Sequence, residues 1–158
     1  MTRIASLPIC SDLAPTGPAE DEIHLDYEAR FLRRKRLTTD KGLDFLVDFP
    51  ETRSLDDGQI LVLDTGQRIA VRAAKEPVLE ITGDLPRLAW HIGNRHTPCQ
   101  IFATHLRIRD DHVLAAMLRK LGAQVMPRVA VFTPERGAYG HGRTLAHSHG
   151  PGDHDHAP

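Results

Sequence analysis

The chain has 158 residues, of which 41% are hydrophobic and 5% aromatic, and its formal net charge is -1. This length allows one domain or two small ones, and the near-zero charge gives no electrostatic footprint for binding nucleic acid or an anionic membrane. No apolar run approaches the roughly 20 residues that span a bilayer, and the N-terminus lacks the apolar stretch of a secretory signal. Two cysteines are too few for a disulfide scaffold, so we expect a cytoplasmic protein.

Short apolar runs separated by turn residues predict that the first part of the chain, residues 1–74, is an all-β domain. Prolines and a glycine interrupt residues 1 to about 22, which are expected to be irregular. Asp-Gly and Thr-Gly turns separate the later runs, as in an antiparallel sheet or a small barrel. The strands are expected at 43–48, 60–64 and 69–73. The basic run at 30–36 has acidic neighbours, and we interpret it as a solvated strand face rather than a nucleic-acid patch.

The second part, residues 75–140, combines strand and helix patterns in the order β-α-β-β-α-β. Asp84 is expected to cap the first helix, and Asp110 or Asp111 the second. The apolar stripes of the two helices are Leu85, Leu88, Ala89 and Ile92, and then Val113, Leu114, Met117, Leu118 and Leu121. Pro127 is expected at a sheet edge or a bulge. This βαββαβ order is that of a ferredoxin-like domain, so the predicted fold class is α+β.

Residues 141–158 differ in composition from the rest and predict a flexible, His-rich tail. The chain has ten histidines, and the tail contains five of them: His141, His147, His149, His154 and His156. Imidazoles two residues apart on a backbone with glycine and proline suit nickel, zinc or copper, and spacing does not select among these metals. An affinity tag is the alternative origin, but a tag would be an uninterrupted run of histidines.

His96 is the leading candidate for a defined metal site. It follows the Gly93-Asn94 helix stop and precedes Pro98, on a loop whose side chains can point away from the core. One imidazole does not make a tight site, and an isolated histidine is more often a plain surface or packed residue. In a dimer with His96 near the two-fold axis, two imidazoles would meet and tail histidines could complete the coordination shell.

Two further residues could add ligands. His112 is expected in the first turn of the second helix, where the helix dipole favours the neutral imidazole, although a capping or exposed role is equally compatible. Cys99 either forms a His-x-x-Cys pair with His96 or is a buried cysteine at the start of a strand. The remaining histidines before the tail, His24, His91 and His105, receive no ligand role. His91 and His105 are expected to be exposed. No hydrolase motif, phosphate-binding glycine loop or set of three fixed ligands with a general base occurs, so we expect no enzyme activity.

Four segments of the chain resemble the UreE family of urease accessory proteins, which are nickel metallochaperones. These segments are 34–42 with Phe45-Leu46-Val47, then 90–100, 111–122 and 132–139. The second contains Gly-Asn-Arg-His at 93–96, which is specific to this family. The third contains Asp-His-Val-Leu, and the fourth contains Pro-Glu-Arg-Gly-Ala-Tyr before the His-rich tail. The resemblance covers about residues 28–140.

The resemblance implies a peptide-binding N-terminal β domain and a ferredoxin-like metal-binding domain that dimerises. The histidine that matches His96 would lie at the dimer interface and bind Ni²⁺, with tail histidines as further ligands. The position of His112 is a secondary ligand in some members, but their histidine two residues earlier is Asp110 here, so one ligand of that site is missing.

The resulting hypothesis is a cytoplasmic homodimer that carries Ni²⁺ as cargo and has no catalytic activity of its own. Its expected partners are the urease apoprotein and other urease accessory proteins, including the maturation GTPase. Neither nucleic acid nor a membrane is an expected partner. The alternative is a general buffering or storage protein for nickel, Zn²⁺ or Cu²⁺.

Overall fold

The computed structural model describes residues 6–137, and the first unit of the structure is a six-stranded sheet. The strands are β1 Ile9–Ala14, β2 Asp21–Leu25, β3 Phe31–Thr38, β4 Asp44–Ser54, β5 Ile60–Leu63 and β6 Arg68–Ala73. Their order across the sheet is β2-β6-β5-β1-β4-β3. The regular elements described up to Ala73 are all strands, as predicted.

The first strand shows that one sequence-based prediction is wrong. The sequence predicts irregular structure up to about residue 22, yet β1 lies inside the sheet, parallel to β4 and antiparallel to β5. Its Cys10 is fully buried and pairs with Val47 on one side and Leu63 on the other. Partners distant in sequence, rather than local propensity, hold this strand. Because β2 also runs parallel to β6, the sheet is mixed and not antiparallel.

The strand β4 is longer than predicted, because it continues through Pro50 to Ser54. Its partner β3 has a register shift between Leu32 and Arg34, opposite this part of β4. A bulge is one of the few places within a sheet that accept proline. Pro50 is accommodated there and does not end the strand.

The basic side chains of β3 face solvent, as predicted for the run at 30–36. The exposed residues are Arg33, Arg34, Lys35 and Arg36, and the Nη2 atom of Arg36 lies 2.8 Å from Oδ2 of Asp44. Arg30 is the exception, since only 3% of its surface is exposed.

The second unit combines a four-stranded sheet with two helices. Its elements are β7 Lys75–Thr82, α1 Leu85–Asn94, β8 Gln100–Ile101, β9 Leu106–Arg109, α2 His112–Lys120 and β10 Gln124–Val131. The sheet order is β10-β7-β9-β8, and every pair is antiparallel. Pro127 lies on the edge strand β10, as predicted. A mostly-β chain with two helices in its second unit has the predicted α+β class.

The helices bury their apolar residues against this sheet. On α1, Leu88 and Ile92 are buried, as the stripe predicts. On α2, the buried residues are Leu114, Ala115 and Leu118. The prediction is wrong for the two outer residues of the α2 stripe, Val113 and Leu121, which are 54% and 41% exposed. The face that packs on the sheet is therefore narrower than the apolar stripe.

The two helices begin differently. Asp111 caps α2, because its side chain accepts hydrogen bonds from the amides of Val113 and Leu114. Asp84 occupies the N-cap position of α1 but makes no side-chain cap hydrogen bond. Pro86 lies in the first turn of α1 and has no N–H group to donate. The predicted N-cap positions are therefore confirmed for both helices, but only Asp111 makes a side-chain cap hydrogen bond.

A small cluster of buried residues joins the two units. Tyr27 packs edge-on to Phe132 with ring centroids 5.3 Å apart, and Val78 lies in the same cluster. Arg30 donates hydrogen bonds to the carbonyl oxygens of Leu25 and Phe132. Glu76 accepts a hydrogen bond of 2.8 Å from the amide of Tyr27. These contacts fix the first unit against the start and end of the second sheet.

Candidate metal centre

His96 lies on the loop after α1, and its backbone is in the left-handed region with φ of 55°. Within residues 6–137 it is the only non-glycine residue with positive φ. Helices that end in this conformation usually place glycine there, because a Cβ atom costs about 1–2 kcal/mol. The amide of His96 donates to Gly93 O at 2.9 Å, and that of Thr97 to Ile92 O at 3.4 Å. Strain retained at an exposed histidine points to a functional constraint.

A cleft between the two units contains His96 in its lining. The second unit contributes residues 96–99 to this cleft, and the first unit contributes Tyr27, Arg30 and residues 54–57. An imidazole, a thiol and the carboxylates of Asp56 and Asp57 therefore line one space. No three of these donors have their ligand atoms within 4.8 Å of one another, so they line the cleft without forming a ligand set.

The segment after β10 runs along the same cleft. The amide of Thr133 donates to Oε1 of Gln100 at 3.1 Å, and the amide of Glu135 donates to the carbonyl of Cys99 at 2.9 Å. Arg136 forms an ion pair with Asp56 of the first unit. Gly137, the last described residue, also lines the cleft. The described chain therefore ends beside the cleft that contains His96, four residues before His141 in the sequence.

Cys99 is a weaker ligand candidate than its spacing to His96 indicates. It is partly buried just before β8 and packs against the core of the second unit. Burial raises the pKa of its thiol to about 11. The thiol is therefore protonated at neutral pH, whereas the thiolate is the form that binds metal. The structure favours the alternative of a packed cysteine at a strand start.

A groove between α1 and α2 brings two other histidines together. His91 and Arg95 line it on one side, and His112 and Lys120 on the other. His112 is the first residue of α2 and is exposed, whereas His91 is partly buried beside Trp90 and not exposed as predicted. The positive charges of Arg95 and Lys120 oppose cation binding in this groove.

His105 is also partly buried rather than exposed as predicted. Its ring stacks on Phe102 with centroids 4.3 Å apart, and its Nδ1 atom lies 2.9 Å from Oγ1 of Thr104. These contacts explain the position of His105 without a metal.

One group of three potential ligands occurs within residues 6–137, with donor atoms all within 4.8 Å of one another: Glu22, His24 and Asp40. His96 belongs to no such group in this range, so a multidentate site at His96 needs donors from elsewhere. The predicted tail ligands lie outside the described residues: His141, His147, His149, His154 and His156. The sequence analysis assigned His24 no role. The one sequence feature that points to this cluster is the strand alternation that places Glu22 and His24 on the same face of β2.

Both units of the chain match known family domains. Residues 4–74 match the N-terminal domain, and residues 76–157 the C-terminal domain, of the UreE urease accessory protein. The chain belongs to the UreE family. Three relatives carry the name urease accessory protein UreE. The one from Rhodobacter capsulatus is 62% identical over 84% of this chain and 85% of its own length. The one from Paracoccus denitrificans is 58% identical over 85% of this chain and 89% of its own length. The one from Ruegeria pomeroyi is 53% identical over 90% of this chain and 99% of its own length.

Membership of the UreE family confirms the resemblance found in the sequence. UreE proteins are accessory proteins and not enzymes, in agreement with the expectation for this chain. The boundary between the two family matches falls between β6 and β7. In the described part of the chain, no helix has the length and apolar character needed to cross a membrane.

Proposed function

We propose that this UreE chain acts in urease maturation as a metallochaperone that binds Ni²⁺ and delivers it to urease. The supporting observation is that His96, in a strained and exposed loop, lines the same cleft as Gly137, the last described residue, which precedes the His-rich tail by four residues in the sequence. His96 is the anchor of the proposed site, and His141, His147, His149, His154 and His156 supply exchangeable ligands.

Imidazole ligands on a tail suit delivery better than storage. A closed shell of fixed ligands would hold the ion, whereas ligands that must first be ordered bind modestly and exchange quickly. A partner protein can then replace them one at a time. His112 is proposed as a secondary Ni²⁺ ligand. The positive charges of Arg95 and Lys120 in the same groove weaken cation binding there.

A homodimer with His96 near its two-fold axis would give the site a second fixed imidazole. Exposed apolar side chains on the second unit support self-association, since large exposed apolar residues often mark interfaces. They are Trp90, Ile101, Val113 and Leu121. Trp90 is 63% exposed on α1, the helix that leads into the His96 loop.

The proposed division of the chain has three parts. Residues 1–74 form a peptide-binding-like β domain, residues 75–140 the metal-binding and dimerisation domain, and residues 141–158 the His-rich tail. The second domain is proposed to be ferredoxin-like, which the antiparallel order β10-β7-β9-β8 supports. A cytoplasmic location is supported by two free cysteines, Cys10 and Cys99.

The proposed partners are the urease apoprotein and other urease accessory proteins, including the maturation GTPase. The names of the relatives support this proposal, since each is a urease accessory protein. Nucleic acid and membranes are not proposed as partners. The competing function is general buffering of nickel, Zn²⁺ or Cu²⁺.

Activation of apo-urease at limiting Ni²⁺, in the presence of the other accessory proteins, tests delivery. We expect the wild-type chain to raise recovered urease activity and His96→Ala to lose most of this effect. His91→Ala removes an imidazole five residues earlier and should behave as wild type. Activation that is the same with and without His96 would contradict delivery and favour the buffering function.

A further inference from the structure

A second cluster of metal-binding side chains lies on the first unit. Glu22 and His24 belong to β2, and Asp40 belongs to the turn between β3 and β4. Their donor atoms all lie within 4.8 Å of one another. About half of the His24 side chain is exposed, so an ion can reach it from solvent.

Backbone and buried side-chain contacts hold these three residues together. The amide of Asp40 donates to the carbonyl of Glu22 at 2.8 Å, which ties the turn directly to β2. Beneath it, the buried carboxylate of Asp21 accepts hydrogen bonds from the Thr39 hydroxyl and the Lys41 amide. The residues on either side of Asp40 are therefore both anchored to β2. The fold therefore fixes the backbone positions of the three residues, so that their side chains lie close together.

The distances fit one divalent ion. Ligand atoms about 2.1 Å from an octahedral ion lie about 3 Å apart in neighbouring positions and about 4.2 Å apart in opposite ones. Nδ1 of His24 and Oδ2 of Asp40 are 2.7 Å apart, close to the shorter value. The carboxylate of Glu22 has an oxygen within 4.8 Å of both atoms, a limit close to the longer value.

The chemistry of the set selects a class of ion. One imidazole and two carboxylates form a borderline donor set that suits divalent transition metals better than Ca²⁺ or Mg²⁺, which prefer oxygen alone. The two carboxylates bring two negative charges, and in the described part of the chain one arginine or lysine forms an ion pair with them. This cation is Arg72 on β6, whose Nε atom lies 3.5 Å from Oε2 of Glu22.

We propose that Glu22, His24 and Asp40 form a second site for a divalent transition-metal ion on the N-terminal unit, with water completing the coordination shell. The ion takes the place of the hydrogen bond between Nδ1 of His24 and Oδ2 of Asp40, and the neutral imidazole then carries its single proton on Nε2. This site uses neither His96 nor the tail and goes beyond the proposed function.

The test uses the full-length chain, labelled with ¹⁵N, in which His96 and the five tail histidines are replaced by alanine. Paramagnetic Ni²⁺ added to this protein should broaden the backbone amide signals of residues 22–24 and 39–41. His24→Ala and Asp40→Asn should each raise the Ni²⁺ concentration required by at least about tenfold, since even loss of an outer-shell partner typically costs that much.

Two further variants complete the test. Arg72→Gln removes the competing cation and should lower the Ni²⁺ concentration required by about two- to fivefold, as for an exposed ion pair. Glu51→Gln removes one carboxylate charge, as Asp40→Asn does, but at an exposed position outside the cluster, and should have no effect. The unaffected signals of each spectrum report whether the variant is folded. Absence of broadening at these amides, or equal broadening in His24→Ala, would overturn the proposal, whatever the fate of the His96 site.

Discussion

At the scale of single residues, the backbone of His96 distinguishes it from the other histidines within residues 6–137. Its φ of 55° is tolerated more readily by histidine than by β-branched residues, yet glycine would be less strained. The sequence indicates a helix stop at Gly93-Asn94, but α1 includes both residues and the left-handed position falls on His96. Glycine is the residue expected at a left-handed position. Only the structure therefore reveals that the left-handed backbone of this loop falls on a histidine.

The strain at His96 can be measured by substitution. Without metal, His96→Gly should have a free energy of unfolding about 1 kcal/mol higher than His96→Ala, because a Cβ atom is disfavoured in the left-handed region. Urea unfolding of both variants with a chelator present measures the difference. Equal stability, or a more stable alanine variant, would show that the loop carries no strain.

A carboxylate on β7 gives the structure an acid-sensitive contribution. Burial raises the pKa of Glu80, but the hydrogen bond from Arg107 and the charges of His105 and Arg128 outweigh this and leave the pKa below its usual value. A lowered pKa in the folded state stabilises the protein above the unfolded value, about pH 4.3, and this contribution is lost as pH falls through the folded pKa.

The comparison of wild type with Glu80→Gln isolates this contribution. We expect the difference in free energy of unfolding to be largest above about pH 5 and to shrink steadily in acid. Urea unfolding at a series of pH values provides the measurement. A difference that stays constant down to the lowest pH would contradict the assigned pKa direction.

At the scale of elements, the sequence predicts best where pattern and packing agree. Strands β5 and β6 and both helices lie close to their predicted positions because each has a clear apolar pattern. The strand β1 has no such period, since its neighbours β4 and β5 come from later in the chain. Pairing between strands so far apart in the chain cannot be predicted from a short stretch of sequence.

The two helix caps provide a matched pair of substitutions. Asp111→Ala removes two hydrogen bonds to the first turn of α2 and should cost about 1 kcal/mol. Asp84→Ala removes only an exposed ion pair with Arg87, at 3.5 Å, and should cost a few tenths of a kcal/mol. Thermal or urea unfolding ranks the two variants. Equal losses would contradict the capping geometry.

At the scale of the whole molecule, the candidate site depends on how the two units meet. The cleft beside His96 combines Asp56 of the first unit with Arg136 near the tail, residues far apart in sequence. The motif around His96 indicates a metal site through its family resemblance, but no pattern in the sequence predicts this cleft. Arg30, which joins the two units, also lines the cleft.

Arg30 should therefore contribute to both stability and cooperativity. Arg30→Ala removes buried charged hydrogen bonds to Leu25 and Phe132 and should lower the free energy of unfolding by about 3 kcal/mol. Arg34→Ala, on the exposed face of β3, should change it by less than about 0.5 kcal/mol. Guanidinium unfolding followed by two probes, one in each unit, measures the effect. Similar losses for both variants would show that the junction contributes little.

The central claim is that His96 anchors the nickel site. Equilibrium dialysis of the full-length chain against Ni²⁺, at a known oligomeric state, tests it most directly. We predict one tightly bound ion per two chains, its loss in His96→Ala, and its retention in His91→Ala with the tail intact. Tight Ni²⁺ binding that is unchanged in His96→Ala would contradict the account.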